Sequence, residues 1–166
     1  MNEISLLKMM NGPDTVLNIY GDVNQMTSSK GIINWSDLGD DFTYYELNQN
    51  YRNTYEITSF CNDMFHYNHL PIGIHGEEIR KISLDTMLEE LDELILVNNK
   101  NRYAIIVKDS IDIVIKKQID NKVPIITVAS SKGMEFDIVY VIPEGMSRNE
   151  QYIAFTRALS KLNIIE

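Results

Sequence analysis

The chain has 166 residues, of which 44% are hydrophobic and 23% charged, with a formal net charge of −9. That length suits one domain with enough chain to bury a core, and the composition is that of an ordinary globular protein. The acidic balance argues against stand-alone nucleic-acid binding, which phosphate neutralisation dominates, and no apolar run is long enough to cross a bilayer.

The single cysteine, Cys61, can form no internal disulfide. It sits among Ile57, Phe60 and Met64 at helical spacing, so it reads as a small core residue. With no signal-peptide pattern at the N-terminus, the expected setting is reducing and cytoplasmic. Residues 77–93 carry seven carboxylates against Arg80 and Lys81, the pattern of a solvated helix face. Residues 100–122 carry six basic side chains against three acidic ones, too few for a binding patch.

In chain order, Ile4, Leu6, Leu7 and Met10 predict a short helix stopped by Asn11-Gly12-Pro13. The β-branched run Val16–Tyr20 predicts a buried strand leading into the polar loop Gly21–Gln25. Residues 26–41, rich in Ser, Gly and Asp around Trp35, read as linker or exposed loop. Phe42–Leu47 alternates like a strand. Asn53 with Glu56 three residues on opens a predicted helix over 54–67. Residues 68–82, with Pro71, Gly73 and Gly76, read as loop with one short strand. Ser83 caps a predicted helix over 84–98 whose Leu84, Met87, Leu88, Leu91 and Ile95 stripe has helical period. Then come a strand at Tyr103–Lys108, a helix from Asp109 to about Ile119, and strands at Pro124–Ala129 and Ile138–Ile142. Ser147 and Glu150 form a second capping box, opening a helix to Ser160 that presents Arg157, and Leu162–Ile165 closes as a strand. Alternating strands and helices predict an α/β fold, a parallel sheet flanked by crossover helices.

Ligands of open parallel sheets bind at the carboxyl ends of strands. Three polar loops are expected there: Gly21–Gln25 with Asp22 and Gln25, Asn48–Asn53 with Tyr51 and Arg52, and Ser130–Asp137 with Lys132 and Glu135. Arg157 joins them from the last helix. Arginine matches phosphate oxygens bidentately and a tyrosine ring stacks on a base, so this set suits a nucleotide. Each alone has a blander reading: a surface ion pair for an arginine, a plain turn for Gly-Asp, a half-buried ring for Trp35. The chain has no Gly-x-x-x-x-Gly-Lys-Ser/Thr loop to hold the phosphates. An unrelated small nucleotide-binding enzyme would need such a loop. His66, His69 and His75 lack the partners of a metal site, and none is expected.

Read in order, these segments resemble the later motifs of the UvrD/Rep-like superfamily 1 DNA helicases, in the branch of the RNA-polymerase-associated helicase HelD and DNA helicase IV. Leu6–Met10 through Ile19-Tyr20-Gly21-Asp22-Val23-Asn24-Gln25 resembles the third motif, and Lys30–Trp35 the segment after it. Asn50-Tyr51-Arg52-Asn53-Thr54 with Ile57 is similar to the fourth motif. Thr127–Asp137 resembles the fifth and Tyr152–Ala158 the sixth. The resemblance covers nearly the whole chain.

It implies a RecA-like, P-loop-NTPase-type fold without its own P-loop. Residues 1–36 would be the terminal piece of a first RecA-like domain with its linker, and residues 37–166 the second RecA-like domain. Gln25 would sense the γ-phosphate and Tyr51 stack on adenine. Arg52 and Arg157 would reach the γ-phosphate, with Arg157 as arginine finger, a role worth about 10³–10⁵ in rate. Glu135 would meet the ribose, and Lys132 and Gly133 would shape its loop. Trp35 and Thr127 would lie near single-stranded DNA. ATP and Mg²⁺ would be the cofactors of the complete motor, with no metal ligand in this chain. The partners would be an N-terminal RecA-like domain carrying the P-loop and single-stranded DNA. The alternative is a non-enzymatic interaction module derived from such a helicase and docking on RNA polymerase. The sequence departs from the pattern in lacking the first two motifs, so it is expected to begin just after the second and to be inactive alone. Ala129 stands at the fifth motif's histidine position, Lys30 replaces arginine before Trp35, and the large inserted subdomain is absent.

Overall fold

The computed structural model describes residues 3–10, 12, 15–27, 34–96, 102–109 and 123–166. They form two compact units, residues 1–46 and 47–166.

The first unit holds helix α1 (Glu3–Met10) and two 3₁₀ turns, Val23–Gln25 and Trp35–Leu38. Asp22 caps the first turn by accepting the Asn24 backbone N–H at 2.9 Å. Leu38 is the one buried apolar side chain among this unit's described residues.

The second unit is built on a five-stranded, wholly parallel sheet. Its strands are β3 (Arg80–Ile82), β4 (Tyr103–Val107), β5 (Ile125–Thr127), β6 (Phe136–Val141) and β7 (Ala158–Ile165), in the order β3-β7-β6-β4-β5. A separate parallel pair, β1 (Gln49–Asn50) and β2 (Leu70–Pro71), lies outside it. The helices are α2 (Tyr55–Phe65), α3 (Leu84–Leu96), α4 (Val128–Ser131) and α5 (Arg148–Phe155).

Successive strand residues face opposite sides of a sheet, and a parallel sheet is covered on both, so its central strands are apolar throughout. β4 follows this rule. Ala104 and Ile106 join one cluster with Ile57, Cys61 and Phe65 of α2 and Ile153 and Phe155 of α5. Ile105 and Val107 face the other side with Met87 and Leu91 of α3. Each fully buried Ile or Phe in these layers contributes about 1.5–3 kcal/mol relative to exposure.

Several local expectations change. Val16–Tyr20 has no regular secondary structure and pairs with no strand among the described residues, and Val16 and Tyr20 are 82% and 87% exposed. β-branching favours extension; a strand also needs a neighbour to take its backbone hydrogen bonds. The strand expected at 42–47 is displaced to β1, because Leu70 and Ile72 donate their amides to the Asn48 and Asn50 carbonyls and so pair there. The N-cap of α2 is Thr54, not Asn53, and its side chain accepts the Ile57 N–H. Val128–Ser131 turns helical where β5 was expected to continue, capped by Thr127 through the Ser130 N–H. The last helix stops at Phe155, short of Ser160: the Arg157 N–H closes a tightened last turn on the Ala154 carbonyl at 3.2 Å, and β7 begins already at Ala158, paired with Phe136. The helix expected at 109–119 lies outside the described residues.

Candidate functional site

The two ends of the sheet separate residues that the sequence groups together. Thr127 pairs with Val107, the last residue of β4, at the carboxyl edge. From there the chain crosses through α4 and the loop 132–135 to Phe136, which pairs with Ala158, the first residue of β7. Glu135 and Arg157 therefore sit at the amino edge of β6 and β7, not at the carboxyl ends expected of a ligand loop in a parallel sheet. Gly133, at φ +79°, makes the turn of this crossing, where residues with a Cβ are strained. The Met134 N–H closes the turn on the Ser131 carbonyl at 2.9 Å. Lys132 and Glu135 are exposed on the loop.

Three segments far apart in sequence converge at that amino edge. Arg52 forms an ion pair with Glu135 at 3.6 Å, both side chains being partly exposed. Asn53, 1% exposed, donates its side-chain N–H groups to the Thr156 carbonyl at 3.1 Å and the Ala158 carbonyl at 2.7 Å. These two carbonyls bracket Arg157. The Arg157 carbonyl accepts the Phe136 N–H at 3.0 Å. Its guanidinium donates to the Ile153 carbonyl at 3.0 Å, the Thr156 hydroxyl at 3.2 Å and the Met134 carbonyl at 3.3 Å.

Arg157 is thus not presented on a helix. It follows the end of α5 and is 2% exposed, and a buried guanidinium is tolerable because its donors are hydrogen-bonded. Arg52 is the exposed cation of the pair. Tyr51 is 71% exposed, its hydroxyl donating to the Gln49 side-chain carbonyl.

A strap formed by residues 72–76 buttresses the Arg52 loop. A Cβ on Gly73 would lie 2.0 Å from the Asn53 carbonyl oxygen, so the strap can run there only as glycine. The Tyr55 N–H donates to the Ile74 carbonyl at 3.0 Å. The Glu56 carboxylate accepts the Gly76 N–H at 2.7 Å and lies 2.8 Å from His75 Nδ1. The Gly76 N–H, then His75, hold its carboxyl below the usual carboxylate range.

Gln25 and Trp35 belong to the first unit. The Gln25 amide donates to the Asp22 carboxylate at 2.8 Å, and the Trp35 ring lies so close to Gly21 that a Cβ there would be 3.0 Å from it. No group of three His, Cys, Asp or Glu side chains placed to hold a metal ion occurs among the described residues. No described helix is long and apolar enough to cross a membrane.

The sequence placed Arg52 and Glu135 on polar loops at carboxyl ends of strands and Arg157 on a helix, and it took Asn53 for a helix cap; the structure instead brings Arg52, Asn53, Glu135 and Arg157 together at the amino edge. The Asn50-x-x-Asn53 spacing was a local signal for an amide-braced loop. Its long-range partners, 103 and 105 residues away, left none.

No protein-family model and no curated protein matches the chain. Solved structures do. The C-terminal domain of a possible DNA helicase from Lactobacillus plantarum superposes with a TM-score of 0.50 at 18% identity, over 69% of this chain and 86% of that one. The PRRSV helicase superposes with a TM-score of 0.56 at 16% identity, over 88% of this chain and 28% of that one. The five-stranded parallel sheet and its flanking helices are the RecA-like, helicase-type α/β fold.

Proposed function

We propose that the chain is the C-terminal part of a superfamily 1, UvrD-like motor. Residues 37–166 would be its second RecA-like domain and residues 1–36 the end of its first. The amino-edge cluster is then one wall of an ATP site whose phosphate loop and magnesium ligands come from the first domain, and single-stranded DNA is the track. The observation that carries this reading is the convergence of Arg52, Glu135 and Arg157 from three segments onto one edge of a helicase-type sheet.

In this reading Tyr51, already exposed, stacks on the adenine, and Glu135 turns from Arg52 to the ribose. Arg52 is then freed for the γ-phosphate. Arg157 exchanges its hydrogen bond to the Met134 carbonyl for one to a phosphate oxygen as the nucleotide closes the site. A charged fork placed there stabilises charge developing on the transferred group. Lys132 and Gly133 shape the Glu135 loop, and Trp35 and Thr127 face the DNA.

The test is ATP turnover by the chain together with the domain that carries the phosphate loop. Arg52→Ala and Arg157→Lys should each lower turnover at least tenfold while ATP affinity falls far less, and the chain alone should hydrolyse ATP negligibly. Brisk hydrolysis by the isolated chain, or unchanged turnover in both variants, would sink the reading.

A further inference from the structure

Both arginines lie on one closed circuit of contacts. Starting from Arg52, the backbone leads to Asn53, whose amide grips the Thr156 and Ala158 carbonyls on either side of Arg157. The Arg157 carbonyl takes the Phe136 N–H and its guanidinium takes the Met134 carbonyl. Between Met134 and Phe136 stands Glu135, which returns to Arg52 as an ion pair.

Asn53 is the fixed corner of this circuit. The Arg52–Glu135 pair is partly exposed and worth little by itself. Asn53 is buried: its side-chain N–H groups go to the Thr156 and Ala158 carbonyls, and its Oδ1 accepts the Asn50 side-chain N–H at 3.0 Å. The Asn50 side-chain oxygen in turn accepts the backbone N–H groups of Arg52 at 3.0 Å and of Asn53 at 3.1 Å. Two amides therefore set the backbone of the Arg52 loop and lock it to the backbone of Arg157. A buried amide hydrogen-bonded through both its nitrogen and its oxygen holds a defined geometry.

We propose that Asn53 is a positioning residue that makes Arg52 and Arg157 move as one rigid unit, so that both meet the same phosphoryl group at once. The proposal rests on the ATP-site reading above. Displacements of about 1 Å in positioning groups cost on the order of 10²-fold in rate, so loosening this corner should act on turnover and not on nucleotide affinity.

The experiment is steady-state ATP turnover with Mg²⁺ by the chain together with the domain carrying the phosphate loop. The variants are Asn53→Ala, Asn50→Ala, and Ile105→Val as a fully buried core substitution outside the circuit. Asn53→Ala should lower kcat at least tenfold with KM for ATP changed less than threefold, Asn50→Ala should show a weaker form of the same split, and Ile105→Val should leave both constants unchanged. If Asn53→Ala fails to fold, Asn50→Ala decides the matter alone. Equal effects of Asn53→Ala and Ile105→Val, or a rise in KM without a fall in kcat, would overturn the positioning role. If Arg52→Ala leaves turnover unchanged, the ATP-site reading fails first and takes this one with it. If Arg52→Ala lowers turnover and both asparagine variants do not, only the positioning role falls.

Discussion

At the scale of single residues, burial decides what chemistry remains open. Cys61 lies on the buried face of α2, and burial pushes its thiol up to about 12. The thiolate is the reactive form, so the folded protein should resist a disulfide or maleimide reagent at pH 8 and react at an ordinary rate once unfolded in urea. Rapid labelling of the folded chain would contradict this placement. Arg157 teaches a related lesson. The sequence marks it as a lone cation, whereas the fold surrounds it with three protein oxygens. Charge and spacing were legible in Tyr51, Arg52, Glu135 and Arg157. Their exposure was not, because exposure depends on what the rest of the chain brings beside them.

At the scale of elements, signals within four residues were the most faithful. The Ser147–Glu150 capping box forms as expected: Ser147 accepts the Glu150 N–H at 3.3 Å, and the Glu150 carboxylate accepts the Ser147 N–H at 2.7 Å. The bonds from the Ser147 backbone, then its hydroxyl, hold the Glu150 carboxyl below the usual carboxylate range. A carboxylate with a depressed folded pKa contributes stability above its unfolded pKa, and this contribution is lost as pH falls through the folded value. Ser147→Ala should therefore cost about 1 kcal/mol. Glu150→Ala should cost more at pH 6 than at pH 3, both read from urea midpoints. An equal loss at the two pH values would show that the charge is not used. By contrast, Glu56 sits three residues after Asn53, as in a capping box, yet its carboxylate goes to Gly76 and His75. A partner 20 residues away in sequence outcompeted the local one.

At the scale of the whole molecule, stability is unevenly shared. Both apolar clusters lie within residues 47–166, and Leu38 is the only buried apolar side chain among the described residues before them. A fragment of residues 47–166 should thus unfold cooperatively, within a few degrees of the full chain in a calorimetric melt. A large loss of melting temperature would mean that residues 1–46 hold part of the core. Exposed Leu6, Met9, Met10, Val16 and Tyr20 in the first unit agree with this division of labour.

By itself the sequence determined the α/β alternation, the apolar β4 and β6, the capped helices α3 and α5, and the loops bearing Arg52 and Glu135. Those properties follow from side-chain period, β-branching and caps, all of which act within a few residues. The tertiary structure alone decided the strand order β3-β7-β6-β4-β5, and the separation of Thr127 at one sheet edge from Glu135 and Arg157 at the other. It also decided the burial of Arg157 and the grip of Asn53 on its flanking carbonyls. Each of these depends on hydrogen bonds between residues tens of positions apart. Such partners are chosen by which backbone groups the packed core leaves unpaired, a quantity with no local trace in the chain.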